Sequence, residues 1–70
     1  MKEKMEKTIN FIRTLQGECE QELNGVEIAL ERSKKKNNMS ETLMLKSEEY
    51  KIQCQIRAYE IIIEQIKGFE

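Results

Sequence analysis

The 70-residue sequence contains no histidine, aspartate, proline or tryptophan, and only two cysteines, two tyrosines and two phenylalanines. Without histidine or aspartate, a cysteine or serine nucleophile has no ordinary base beside it, and the Glu-x-x-His metal motif of helical bundles cannot form. Two cysteines are too few for a disulfide framework or a cysteine zinc site. We therefore expect no catalytic residue, no cofactor and no metal.

An excess of charge of one sign is also missing. Lysine and arginine number 12 against 13 acidic residues, which gives a net charge of −1, whereas dedicated nucleic-acid binders usually carry a basic surface. No apolar run approaches the roughly 20 residues of a membrane span, and the first residues lack the apolar segment of a signal peptide. We expect a cytoplasmic chain without membrane contact, and the abundance of Lys, Ile, Glu and Asn favours a bacterial or phage source.

The first half of the chain carries a sustained heptad pattern, in which steps of four and three residues alternate. Its members are Met5, Ile9, Ile12, Gln16, Cys19, Leu23, Val26 and Leu30. Gly17 and Gly25 fall outside this stripe, and each costs about 1 kcal/mol relative to alanine inside a helix. The unchanged phase predicts one helix over about residues 3–35, with a break at either glycine as the alternative.

The second half repeats the pattern and predicts a helix over about residues 41–69. Its stripe consists of Leu45, Glu49, Ile52, Ile56, Tyr59, Ile63 and Ile66. Residue numbers in the two stripes pair to a sum of about 75, so that Ile9 meets Ile66 and Leu30 meets Leu45. This pairing predicts an all-α fold, a single-domain antiparallel two-helix coiled-coil hairpin.

A short turn is expected over about residues 36–40. Either of the two asparagines after the lysines suits the left-handed conformation that ends a helix. The start of the second helix has two alternatives: Asn38 as N-cap in a capping box with Glu41, or Ser40 as N-cap with a methionine staple.

The pairing also predicts what lies beside and within the stripes. Residues whose numbers sum to 73 are predicted to lie across from one another on the two helices, and several of these pairs carry opposite charges. They include Glu27–Lys46, Arg13–Glu60 and Glu6–Lys67. Gln16 lies opposite Tyr59, and we interpret this as a polar pair that fixes the register, with the phenol as a hydrogen-bond partner of the amide.

Helix 2 carries more apolar surface than one partner can cover. A second stripe, Leu43, Ser47, Tyr50, Cys54, Ala58 and Ile61, follows another face, and a helix that is apolar nearly all round is usually buried on more than one side. We expect a homodimer of hairpins in a four-helix bundle, with a different protein partner as the alternative. The expected interface residues are Leu43, Tyr50, Cys54, Ala58, Ile61, Phe11 and Leu15.

One segment resembles a known family. Ser47-Glu48-Glu49-Tyr50-Lys51 resembles the Ser-Gln-x-Leu-Asp stretch in the sporulation aspartyl-phosphate phosphatases, which are small two-helix proteins. Lys51 stands where that family has its aspartate, and Glu48 where it has glutamine. The reversed charge at Lys51 is why the family's activity is not expected here.

The sequence therefore favours a small, non-enzymatic protein–protein interaction module, acting as a regulator, adaptor or inhibitor through an apolar helix face. The alternative is a weak nucleic-acid-binding accessory protein. In that case Lys34, Lys35 and Lys36 from the two turns of a dimer would contact the phosphate backbone or another anionic partner.

Overall fold

The computed structural model describes residues 2–69 and places them in two helices joined by a tight turn. Helix α1 spans Lys2–Lys35 and helix α2 spans Met39–Gly68. They are antiparallel, because Gln16 of α1 bonds to Glu60, close to the end of α2. The molecule measures 53 × 15 × 10 Å, so its length is about that of α1 alone at 1.5 Å per residue. The predicted antiparallel hairpin is confirmed.

Helix α1 is continuous through both of its glycines. A Cβ atom added at Gly17 or Gly25 would meet nothing within 4 Å, so neither glycine is needed for close approach of another element. The prediction of one unbroken helix is confirmed, because the apolar stripe keeps its phase and holds both halves of α1 against α2.

The two heptad stripes face each other and form the contact between the helices, which we call the seam. Its best-buried apolar side chains are Ile9, Leu30, Ile52 and Ile63, and Ile63 is only 1% exposed. The other predicted seam members are half-buried: Met5, Ile12, Gln16, Cys19, Leu23, Val26, Leu45, Glu49, Ile56, Tyr59 and Ile66. Every residue assigned to the seam from the sequence therefore lies at least partly inside it.

The turn ends α1 with a Schellman motif. Asn37 has φ 56°, in the left-handed region that asparagine tolerates. Its backbone N–H donates to the Lys34 carbonyl, and the N–H of Asn38 donates to the Ser33 carbonyl, both at 3.1 Å. These bonds satisfy two of the carbonyl groups that a helix end leaves without partners.

Asn38 then caps the start of α2. Its side-chain oxygen accepts from the Glu41 backbone N–H at 3.2 Å, and its amide nitrogen donates to the Glu41 carboxylate at 3.1 Å. The Asn38 alternative is thus confirmed and the Ser40 alternative is wrong, since Ser40 lies inside the helix. Because Asn38 is the cap, α2 begins at Met39, two residues before the predicted start.

Ser33 is the one buried polar residue of the described chain, with 1% exposure. Its hydroxyl lies 2.7 Å from that of Thr42, and both hydroxyls reach the Asn38 carbonyl, at 3.1 and 2.8 Å. The two hydroxyls have only two protons for these three contacts. One hydroxyl therefore donates to the Asn38 carbonyl, and the second hydroxyl donates to the oxygen of that first hydroxyl. This polar cluster closes the seam at the turn.

The prediction for Gln16 needs a correction. Its amide nitrogen donates to the Glu60 carboxylate at 2.9 Å and to the Ile56 carbonyl at 3.3 Å, rather than to the Tyr59 phenol. An amide N–H₂ supplies two donors, and the carboxylate at the edge of the seam is a stronger acceptor than a phenol. Gln16 therefore ties α1 to the edge of α2.

Candidate interaction surface

The second apolar stripe of α2 lies on the surface of the hairpin. Leu43 is 65% exposed, Tyr50 68% and Ile61 50%, and Cys54 and Ala58 are also exposed. We call these five residues the outer face of α2. Single exposed apolar residues are ordinary, but five along one side of a helix form a continuous stripe.

Helix geometry explains why this stripe cannot reach α1. Leu43, Tyr50, Cys54 and Ile61 each lie two residues before a member of the seam. Two residues correspond to a rotation of about 200° around a helix with 3.6 residues per turn. The outer face therefore points away from α1, and no rotation of α2 buries both stripes against a single neighbour.

The two α1 residues expected at the interface occupy different environments from those of α2. Phe11 is 65% exposed, whereas Leu15 is half-buried. Leu15 pairs by number with Ile62 and lies at one edge of the seam. Near this edge, at the open end of the hairpin, an apolar groove is lined by Lys4, Met5, Thr8, Ile66 and Phe69. Leu15 thus flanks the seam, Phe11 lies on the exposed surface of α1, and neither is part of the outer face of α2.

The opposite edge of the seam is polar. A wide, open groove there is lined by Glu6, Asn10, Arg13 and Lys67 around the buried Ile9. Three of these side chains carry charge, and both signs are present. An apolar partner therefore gains more by docking on the outer face of α2 than on this edge.

The two thiols differ in environment. Cys19 lies in the seam, where its thiol is 3.7 Å from the side-chain oxygen of Gln55. Burial, and then the carboxylates of Glu22 and Glu18, raise the pKa of the Cys19 thiol above its ordinary value, which keeps it protonated and a poor nucleophile. Cys54 is exposed on the outer face, and both cysteines are free.

The basic run lies at the closed end of the hairpin. Lys34 and Lys35 finish α1, Lys36 begins the turn, and all three are exposed. Their position places positive charge at the negative end of the helix dipole. They are separated along the chain from every residue of the outer face.

The described residues 2–69 contain no cluster of three side chains suited to a metal ion. In the same part of the chain, neither helix is long and apolar enough to cross a membrane.

Comparisons with known proteins return no match: no family model, curated protein or solved structure is significantly similar to this chain. The functional argument therefore depends on its own surface.

Proposed function

We propose that this chain is a small, non-enzymatic protein–protein interaction module that binds through the outer face of α2. The observation that carries the proposal is the second apolar stripe, which lies on the side of α2 opposite the seam and stays exposed. Such a stripe costs solubility in a free hairpin, and a bound protein surface removes it from water.

The exposed area supports a partner of ordinary size. The hairpin exposes 5792 Å², whereas a compact monomer of 8.3 kDa exposes about 4600 Å² on the usual scaling. The surplus of about 1200 Å² exceeds the roughly 800 Å² that each partner buries in a standard complex. One protein interface is therefore enough to bring the exposed area to that of a compact protein.

The test compares the native chain with Tyr50→Glu combined with Ile61→Glu, which places two charges on the outer face. The matched control, Gln21→Glu combined with Asn24→Glu, adds the same charge to exposed positions of α1. Light scattering gives the solution mass of each form. Immobilised forms are then incubated with cell extract, and the retained proteins are quantified.

We expect the native chain and the control to behave alike, in self-association or in retaining a common protein, and the outer-face variant to lose that behaviour. Circular dichroism checks that the variant keeps its helices. The proposal fails if the outer-face variant retains everything that the native chain retains, or if the native chain stays monomeric and retains nothing.

A further inference from the structure

The outer surfaces of the two helices differ at matched positions. Eight positions of α1 and seven of α2 lie two residues before a seam residue and point away from the other helix. On α1 these are Glu3, Lys7, Asn10, Thr14, Gly17, Gln21, Asn24 and Ile28. On α2 they are Leu43, Ser47, Tyr50, Cys54, Arg57, Ile61 and Glu64. The first set has one large apolar residue, Ile28, and the second has three together with Cys54, so α1 is suited to solvent and α2 to a place between two neighbours.

The outer face of α2 is complementary to itself. A second α2 can lie antiparallel to the first in the register where the numbers of facing residues sum to 104. Leu43 then lies against Ile61 of the second copy, and Tyr50 lies against Cys54 of the second copy. By two-fold symmetry each contact occurs twice. The three large apolar residues and Cys54 then have apolar partners, and Arg57 lies beside the small, polar Ser47.

Most of the residues beside this stripe agree with the same register, and the exception is Lys51, which lies beside its own copy. Lys46 lies across from Glu60 of the second copy, which gives two pairs of opposite charge. Met44 lies across from Ala58 on the other side. Both kinds of pair contribute to cross-helix contact, and the charges contribute mainly to register because they remain near solvent.

Other arrangements lose this agreement. A shift of one heptad in one direction carries Ile61 past Met39, the first residue of the second α2, and a shift in the other direction places Lys46 opposite Lys67. A parallel arrangement places each residue beside its own copy, so that two Arg57 side chains face each other. The antiparallel register therefore satisfies the apolar stripe and most of the charges, with two Lys46–Glu60 pairs of opposite sign against one Lys51–Lys51 pair of like sign near solvent.

We propose that the occupant of the outer face is a second copy of this chain, bound through an antiparallel pair of α2 helices with Tyr50 against Cys54. The four helices then lie in the order α1–α2–α2–α1, with both α2 helices in the middle. This inference rests on the proposed function, because it names the partner of the same face. The surplus area of about 1200 Å² for the whole hairpin exceeds the roughly 800 Å² that each copy buries in a standard interface.

Cysteine cross-linking tests the register. In a chain whose two native cysteines are replaced by alanine, Gln53→Cys places a thiol beside the two-fold axis, next to its own copy. Gln65→Cys is the matched control, since both glutamines are exposed on α2. In the antiparallel register, the two copies of position 65 lie at opposite ends of the pair, about 40 Å apart at 1.5 Å per residue.

With a short bifunctional maleimide, we expect Gln53→Cys to form covalent dimers at least tenfold faster than Gln65→Cys. Equal rates at the two positions would overturn the antiparallel register, because a parallel pair brings each position to its own copy. If the chain is monomeric at all concentrations but retains another protein through the outer face, the inference that the partner is a second copy is wrong, and the proposed function still holds. Loss of both self-association and retention would overturn both.

A charge exchange gives an independent readout. Lys46→Glu alone and Glu60→Lys alone each place like charges across the proposed pair. An equal mixture of the two variants restores opposite charges in every mixed dimer, so we expect it to associate several-fold more tightly than either variant alone. If the mixture shows no gain, Lys46 and Glu60 do not face each other and the register is wrong.

Discussion

On α2, the seam and the outer face contain similar residues that differ in exposure to solvent. Ile63 is 1% exposed in the seam, whereas Ile61, two residues earlier, is 50% exposed. Tyr59 is half-buried, and Tyr50 is 68% exposed. The comparison teaches that the apolar character of a residue does not decide its burial; its rotational phase relative to α1 does.

The largest difference in stability is expected between the isoleucine of the seam, Ile63, and the isoleucine of the outer face, Ile61. Ile63→Ala should lower the free energy of unfolding by about 2–5 kcal/mol, because it leaves a cavity in the seam. Ile61→Ala should change it by less than about 0.5 kcal/mol, as is usual at the surface. Urea unfolding followed by circular dichroism, at a concentration where the chain is monomeric, measures both. Equal losses would contradict the assignment of the two faces.

A smaller effect is expected at the serines. Ser33→Ala removes a hydroxyl from the polar cluster and should cost about 1–2 kcal/mol, the cost of a disrupted buried hydrogen-bond network. Ser47→Ala, on the exposed side of α2, should leave stability unchanged or slightly higher, since alanine favours helix. Thermal unfolding of both variants tests this, and a destabilised Ser47→Ala with an unaffected Ser33→Ala would refute it.

Replacing the glycines of α1 by alanine should raise stability, whereas the seam substitutions lower it. Gly25→Ala adds a methyl group where nothing lies within 4 Å, so only the backbone preference changes, and stability should rise by about 1 kcal/mol. Gly17→Ala should behave in the same way for the same reason. Chemical denaturation of each variant measures the gain. A loss at either position would mean that the methyl group meets another chain there.

The smallest effect concerns the thiol of the seam. Burial raises the pKa of Cys19. In the Cys54→Ala variant, which keeps only this thiol, alkylation of Cys19 by iodoacetamide should therefore require a higher pH in the folded chain than in urea. The folded chain holds the thiol proton more tightly than the unfolded chain. Stability should therefore fall as pH rises through the thiol range, and Cys19→Ser should remove that fall. Identical alkylation profiles in folded and unfolded chains would contradict the burial of Cys19.

Much of the seam was predictable from the sequence because heptad spacing repeats with the helical period. The same spacing could have found the polar cluster: Ser33 follows Leu30 by three residues, Thr42 precedes Leu45 by three, and their numbers also sum to 75. Both were missed because the two stripes were ended at Leu30 and Leu45, the last apolar members on either side of the turn. The partners of Gln16 were not predictable, since a long amide can reach several acceptors and the choice depends on side-chain geometry.

The sequence by itself determined the two helices, their antiparallel pairing and the presence of a second apolar stripe. These follow from periodic burial, which spacing along a helix encodes directly. Only the tertiary structure decided that Asn37 is the left-handed residue and Asn38 the cap, and that a buried pair of hydroxyls closes the turn. Those features depend on competition between nearby donors, acceptors and surfaces, and that competition is resolved only when both helices are in place.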